Sequence, residues 1–162
     1  MSGNKKRIVI VGATSAIAEH CARLWVKDAV VDMTLVGRDP GRTERVAADL
    51  RVRSPQSVIR VLEANFTDPL AIRLLVDGIV AEGAIHTVLI AHGSLPDQTV
   101  CQQDLTACHD ALTINGISLC YLLRPLSDIC KRPIMAPWRL LAQWPETEGA
   151  SRTMSTERPK DW

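Results

Sequence analysis

The chain opens on a run of β-branched residues, Ile8-Val9-Ile10-Val11 after Arg7, that stops at Gly12. A continuous apolar run with no polar alternation predicts a strand buried on both faces, as in a parallel sheet. Ala13-Thr14-Ser15 then turns and caps a helix whose inward face is expected to hold Ile17, Cys21, Leu24 and Trp25. Met33 to Val36 predicts a second strand, stopped by Gly37-Arg38-Asp39-Pro40, and a helix from about Arg42 to Arg51 carries Val46 and Leu50 inward. Val58 to Leu62 predicts a third strand. Asp68-Pro69 starts a helix with Leu70, Leu74, Leu75 and Ile79 expected inward. His86 to Ala91 predicts a fourth strand, ending at His92-Gly93. Asp104 to Ser118 predicts one helix, with Leu105, Cys108, Leu112 and Asn115 at helical spacing.

Strand and helix alternate four times, and the economical solution is an α/β fold: a Rossmann-type, doubly wound parallel sheet. The alternation then stops. Five of nine prolines and three of four tryptophans lie beyond Leu123, and Pro133, Pro137 and Pro145 interrupt any long helix. The predicted organisation is an incomplete dinucleotide-binding domain of about four strands over residues 1–123 and an irregular, non-native tail over 124–162. With the later strands missing, the fourth strand is expected at an edge with an apolar row exposed.

Composition changes this picture little. Hydrophobic residues at 46% and charged residues at 23% describe an ordinary globular chain. A net charge of +1 gives no basic field for nucleic acid or an anionic membrane, and neither is expected as a partner. The five cysteines form no CxxC pair, so neither a zinc site nor a disulfide frame is predicted; free thiols fit a reducing, cytoplasmic setting.

The chemistry concentrates where strands end. Gly12-Ala13-Thr14-Ser15-Ala16-Ile17-Ala18 joins the first strand to the first helix, and a helix N-terminus there offers unpaired N–H groups and a positive dipole end to a pyrophosphate. On these residues the chain resembles the short-chain dehydrogenase/reductase family, which has Thr-Gly-x3-Gly-x-Gly at this point. Ala16 and Ala18 stand where the second and third glycines are usual, each adding a methyl group where the backbone should approach the ligand. The resemblance implies that Gly12, Thr14, Ser15, Ala16 and Ile17 line a nicotinamide dinucleotide.

Further matches keep the family's order. Where a member preferring NAD carries an acid after the second strand, this chain has Gly37 and then Arg38, whose guanidinium can grip a 2′-phosphate; NADP is the expected cofactor, with NAD as the alternative. Asn65, followed by Phe66, stands where the family has an acid against adenine. Ile90-Ala91-His92-Gly93 stands where the family has Asn-Asn-Ala-Gly, so Ala91, His92 and Gly93 are expected along the cofactor cleft. Asn115 matches the helix asparagine whose backbone helps hold a relay water beside the catalytic lysine.

The rest of the family's catalytic set is missing. Reducing a carbonyl needs a proton donor beside its oxygen; the family supplies a Tyr, a Lys four residues later and a Ser thirteen before. The one tyrosine, Tyr121, follows Asn115 by six residues, and Lys131 lies ten residues further on. Reading the codons from about Leu119 onward one base out of frame permits a Ser and a Tyr-x3-Lys at the family's spacing. Trp144-Pro145 then forces Ala, Met135-Ala136 forces Gly, and Ser155-Thr156 and Pro159-Lys160 permit Tyr and Lys. We therefore expect that a one-base frameshift near Ser118 replaced the catalytic half. The parent would be an NAD(P)-dependent oxidoreductase of a small alcohol or carbonyl, commonly a homo-oligomer. The chain as written is expected to lack turnover, the alternatives being a noncatalytic dinucleotide-binding module or an unstable fragment.

Overall fold

The structure, a computed structural model, describes residues 5–130. The elements are β1 (Lys6–Val11), α1 (Ala16–Asp28), β2 (Val31–Gly37), α2 (Pro40–Arg53), β3 (Val58–Glu63), α3 (Pro69–Ala81), β4 (Thr87–Ile90), α4 (Gln98–Gln103), α5 (Leu105–Leu112), a π-helical turn (Thr113–Ile117) and α6 (Ser118–Cys130). Of the irregular tail expected over 124–162, residues 131–162, with the codons that permit Tyr and Lys, lie outside the described residues.

The four strands run parallel in the order β3-β2-β1-β4. This is the doubly wound pattern; β1, β2 and β4 are largely apolar as burial on two faces demands, whereas β3 exposes Val58, Arg60 and Glu63. On one face, Ala18, Ala22 and Val26 of α1 and Ala47 and Leu50 of α2 pack on Ile8, Ile10, Met33, Leu35 and Leu89. On the other, Ile72, Val76 and Ile79 of α3 and Leu122 and Leu126 of α6 pack on Val9, Val11, Val36, Val88 and Ile90. α6 therefore runs across the 123/124 position and carries Leu126 into the core.

Three inward faces differ from the sequence expectation. In α1 the sheet is met by Ala18, Ala22 and Val26, while Ile17 and Leu24 are exposed and Cys21 and Trp25 sit at the core margin. Small residues let a helix lie close on a parallel sheet, so size alone misled the choice of face. In α3, Leu70 and Leu74 are each 65% exposed and the buried set is Ile72, Val76 and Ile79. Pro-Leu-Ala-Ile-Arg-Leu-Leu-Val is apolar almost all round, so its periodicity does not select a side. Leu105 and Leu112 are also exposed, and neither α4 nor α5 buries a residue.

The helix expected over Asp104–Ser118 is broken: α5 gives way to the π-turn, then α6 begins at Ser118. A short α4, capped by the Asp97 carboxylate on the Thr99 and Val100 N–H groups, precedes it unforeseen. β4 does end the sheet among the described residues, but its apolar row is not exposed. Val88, Leu89 and Ile90 are all at least 95% buried, covered by helices on both faces.

Val11 pairs with Val36 and with Ile90, and Val36 pairs with Leu62. The carboxyl ends of all four strands are thus level, and their outlets emerge side by side.

Candidate functional site

The outlet of β1 turns at Gly12, with φ at +81°. A Cβ there would lie 2.4 Å from the His92 nitrogen and 2.7 Å from the Ala91 carbonyl carbon, so the β1 and β4 outlets approach to a distance that only glycine allows. The Gly12 and Ala13 N–H groups both donate to the Val36 carbonyl, tying the turn to β2. In α1 the Glu19 N–H is the first to meet a helix carbonyl, that of Ser15 at 2.9 Å. The N–H groups of Ala16, Ile17 and Ala18 precede that ladder and present the positive end of the helix. Ala16 is exposed at this mouth, whereas Ala18 is fully buried against the sheet. Of the two methyl groups that replace glycine hydrogens, only that of Ala16 borders the approach.

At the outlet of β2, a Cβ on Gly37 would fall 2.1 Å from Thr43 Oγ1. Thr43 cannot step aside: it is fully buried, and its hydroxyl donates to the Asp39 carbonyl at 2.8 Å. A carboxylate side chain at position 37 therefore has no room. Arg38 follows, exposed. At the outlet of β3, Asn65 Oδ1 accepts from the Thr67 N–H and hydroxyl, which fixes the side chain and leaves its amide NH2 outward. Phe66 is buried in the second core, with its ring 4.9 Å from that of His92.

The outlet of β4 is held to the helices by two polar contacts. Ser118 donates its hydroxyl hydrogen to the Ile114 carbonyl at 2.6 Å, so its oxygen accepts from His92 Nε2 at 2.7 Å. This fixes the imidazole with its hydrogen on Nε2 and leaves Nδ1 buried without a partner among the described residues. Burial holds the His92 pKa below the ordinary value, the Arg38 charge adds to this, and the Ile114 carbonyl opposes it. Asn115, in the π-turn, clamps Ser94: Oδ1 accepts from the Ser94 N–H and Nδ2 donates to its carbonyl, both at 2.9 Å. Asn115 Oδ1 also limits Gly93, whose added Cβ would lie 3.1 Å away.

No family model matches the chain. Solved structures do. A short-chain type dehydrogenase/reductase from Mycobacterium ulcerans, 20% identical, matches with a TM-score of 0.73 over 86% of this chain and 52% of its own. An alcohol dehydrogenase from the archaeon Thermococcus sibiricus, complexed with 5-hydroxy-NADP, is 19% identical, with a TM-score of 0.70 over 80% and 55%. A bulky-bulky ketone specific alcohol dehydrogenase from Comamonas testosteroni is 19% identical, with a TM-score of 0.68 over 78% and 50%. The fold is that of the short-chain dehydrogenase/reductases. The chain spans about half the length of each of these structures.

Within this fold the residues singled out from sequence gather at one end of the sheet. Gly12, Thr14, Ser15, Ala16 and Ile17 form the β1 turn, Arg38 and Asn65 follow β2 and β3, and Ala91, His92 and Gly93 follow β4 with Asn115 above them. Two of them face inward: Phe66 and Ala91 are buried, and the Ala91 N–H closes the ladder on the Val11 carbonyl at 2.7 Å. Sequence reasoning missed Thr43, which shuts position 37, and Ser118, which holds His92. The sole signal for either was a small hydroxyl residue inside an otherwise regular helical pattern, four residues after its carbonyl partner, Asp39 or Ile114.

Proposed function

We propose that this chain is the dinucleotide-binding half of an NAD(P)-dependent oxidoreductase of the short-chain dehydrogenase/reductase type, that it prefers NADP, and that as written it binds without turnover. The observation that carries the reading is the pairing at the β2 outlet. Thr43 excludes the carboxylate that would hold free ribose hydroxyls, and Arg38 beside it offers a guanidinium to a 2′-phosphate.

The residues present fit such a ligand. The exposed N–H end of α1 suits a pyrophosphate, with the Ala16 methyl as the one added obstruction. The Asn65 amide NH2 suits a ring nitrogen of adenine rather than its amine, because its oxygen is already committed to Thr67. Ser94, Asn115 and His92 form the wall over the β4 outlet. The nicotinamide, when bound, supplies hydride chemistry. The chain's own part stops at binding and orientation, for no Tyr-x3-Lys is present to protonate a carbonyl oxygen.

Titration of the purified chain with NADPH and NADH, followed by quenching of cofactor fluorescence, tests the reading. Saturable binding with NADPH tighter, and no oxidation of NADPH by a panel of ketones and aldehydes, is the expected result. Absence of binding to either dinucleotide overturns it, and steady turnover overturns the claim of inactivity. The coding DNA between Asn115 and Trp162 tests the origin of the defect: one single-base change should open a frame containing Tyr-x3-Lys.

A further inference from the structure

His92 joins three strand outlets to the π-turn and α6. Its backbone nitrogen lies where only a glycine at position 12 leaves room, so it backs the β1 turn. Its ring stands 4.9 Å from that of Phe66, after β3. Its Nε2 reaches Ser118 at the start of α6, and the Ser118 hydroxyl donates to the Ile114 carbonyl in the π-turn. Asn115, next in that turn, grips the N–H and the carbonyl of Ser94, two residues after His92. The loop at Gly93 and Ser94 is therefore held from both sides by one chain of hydrogen bonds, and the imidazole is its first member.

That chain closes only around a neutral ring. Ser118 gives its one hydrogen to Ile114, so it accepts from Nε2–H. A second proton would go to Nδ1, which is buried and has no partner among the described residues. A charged donor without an acceptor is costly inside the fold. The residue as a whole is only partly buried, so the ring can relieve that cost by turning toward solvent and leaving Ser118. Among the described residues no carboxylate stands ready to hold the cation in place. Gly12-Ala13, Ala64-Asn65-Phe66 and Ile114 to Ser118 carry no ionisable side chain, and Arg38, whose charge does act on the ring, repels a proton there.

We propose that His92 is a proton-operated latch on the dinucleotide cleft: neutral, it locks the β4 outlet to α6, and protonated in mildly acidic solution it frees Gly93 and Ser94 and weakens the ligand. The effect on the ligand rests on the dinucleotide reading above; the opening of the loop does not. Charge alone predicts the reverse pH dependence for the ligand, because its phosphates attract a nearby cation. Those phosphates would lie at the exposed mouth, where water and salt screen them. The second proton has to be met inside the fold, so loss of the wall prevails.

Nuclear magnetic resonance of the full chain tests the opening. The His92 ring titration is followed beside the protection of the Ser94 amide, corrected for the intrinsic pH dependence of exchange. From about pH 8 to about pH 5, Ser94 protection should fall about tenfold or more, with the midpoint of the ring titration. Ala91, whose N–H donates to the Val11 carbonyl in the sheet, should keep its protection. Calorimetric titration with oxidised NADP at the same two pH values should show affinity about tenfold lower at the acid end. His92→Gln, whose amide NH2 can still donate to Ser118, should lose both pH dependences, whatever its absolute affinity. Where that variant fails to fold, the wild-type midpoints decide alone. Ser94 protection that ignores the ring titration, or a pH dependence that survives in His92→Gln, overturns the latch. Binding that tightens toward acid pH assigns His92 to charge attraction and overturns it as well. Loop opening on the ring midpoint with no dinucleotide bound at either pH supports the latch, strikes its effect on the ligand and overturns the dinucleotide reading.

Discussion

His92 Nε2 lies 2.7 Å from Ser118 Oγ, and this one contact ties the outlet of β4 to the first turn of α6. Because Ser118 spends its hydrogen on Ile114, a second proton on His92 would sit on the buried Nδ1, which has no acceptor among the described residues.

That geometry sets a pH dependence. The folded His92 pKa is lowered, chiefly by burial, so the unfolded chain binds the proton more readily. The contribution of His92 to stability is therefore complete above the unfolded pKa of about 6.5, and it is lost as pH falls through that value toward the folded one. Urea unfolding on either side of about pH 6.5 should show this loss, and His92→Gln should flatten the slope relative to wild type. A wild-type slope that survives the substitution would assign the effect to another group.

Gly12→Ala combines a strained φ with a 2.4 Å clash on the backbone of β4, and nothing flexible stands there to yield. It should destabilise the fold by about 3 kcal/mol or more, read as a lower urea midpoint. Gly78→Ala is the contrasting case. An added Cβ in α3 meets nothing within 4 Å, so the helix should gain about 0.5–1 kcal/mol from the same change.

At the opposite end of the sheet, Arg7 on β1 is buried and donates to Glu82 and to the Gly83 carbonyl. Glu82→Gln leaves a buried guanidinium facing a neutral amide. Glu82 itself is about half exposed, and Arg60 lies 3.5 Å from the same oxygen, so water and a second cation share the site. A loss of about 1–2 kcal/mol is expected in chemical unfolding, less than for a fully buried pair.

Asn115→Ala removes both hydrogen bonds to Ser94 and releases the loop after β4. Because Asn115 is exposed, water replaces part of what is lost, and the stability cost should stay near about 1 kcal/mol. Amide exchange at Ser94 should accelerate with it, an effect that loss of a merely solvated side chain would not produce.

The strands were legible because a parallel sheet buried on both faces leaves unbroken runs such as Ile8–Val11, which local composition alone identifies. The first three helices were legible as elements, and α1 and α3 were misread as surfaces. Ala18 and Ala22 carry the α1 interface by being small, and an apolar index ranks them below the exposed Leu24. The outlets of the strands could be read as a site because position along the chain fixes which turns share an edge once the sheet is parallel. The contacts that shape that site were not legible. Thr43 against Gly37 and Ser118 against His92 join residues whose proximity depends on where a helix sits, 6 and 26 positions apart, and nothing local to either residue announces its partner.

The fit of Thr43 over Gly37 also restricts how this chain can change. Any side chain introduced at 37 collides with a tethered neighbour until position 43 changes too, so the two letters must be rewritten together. A single-step route to an acid at position 37 is closed by a residue that never needs to touch a ligand.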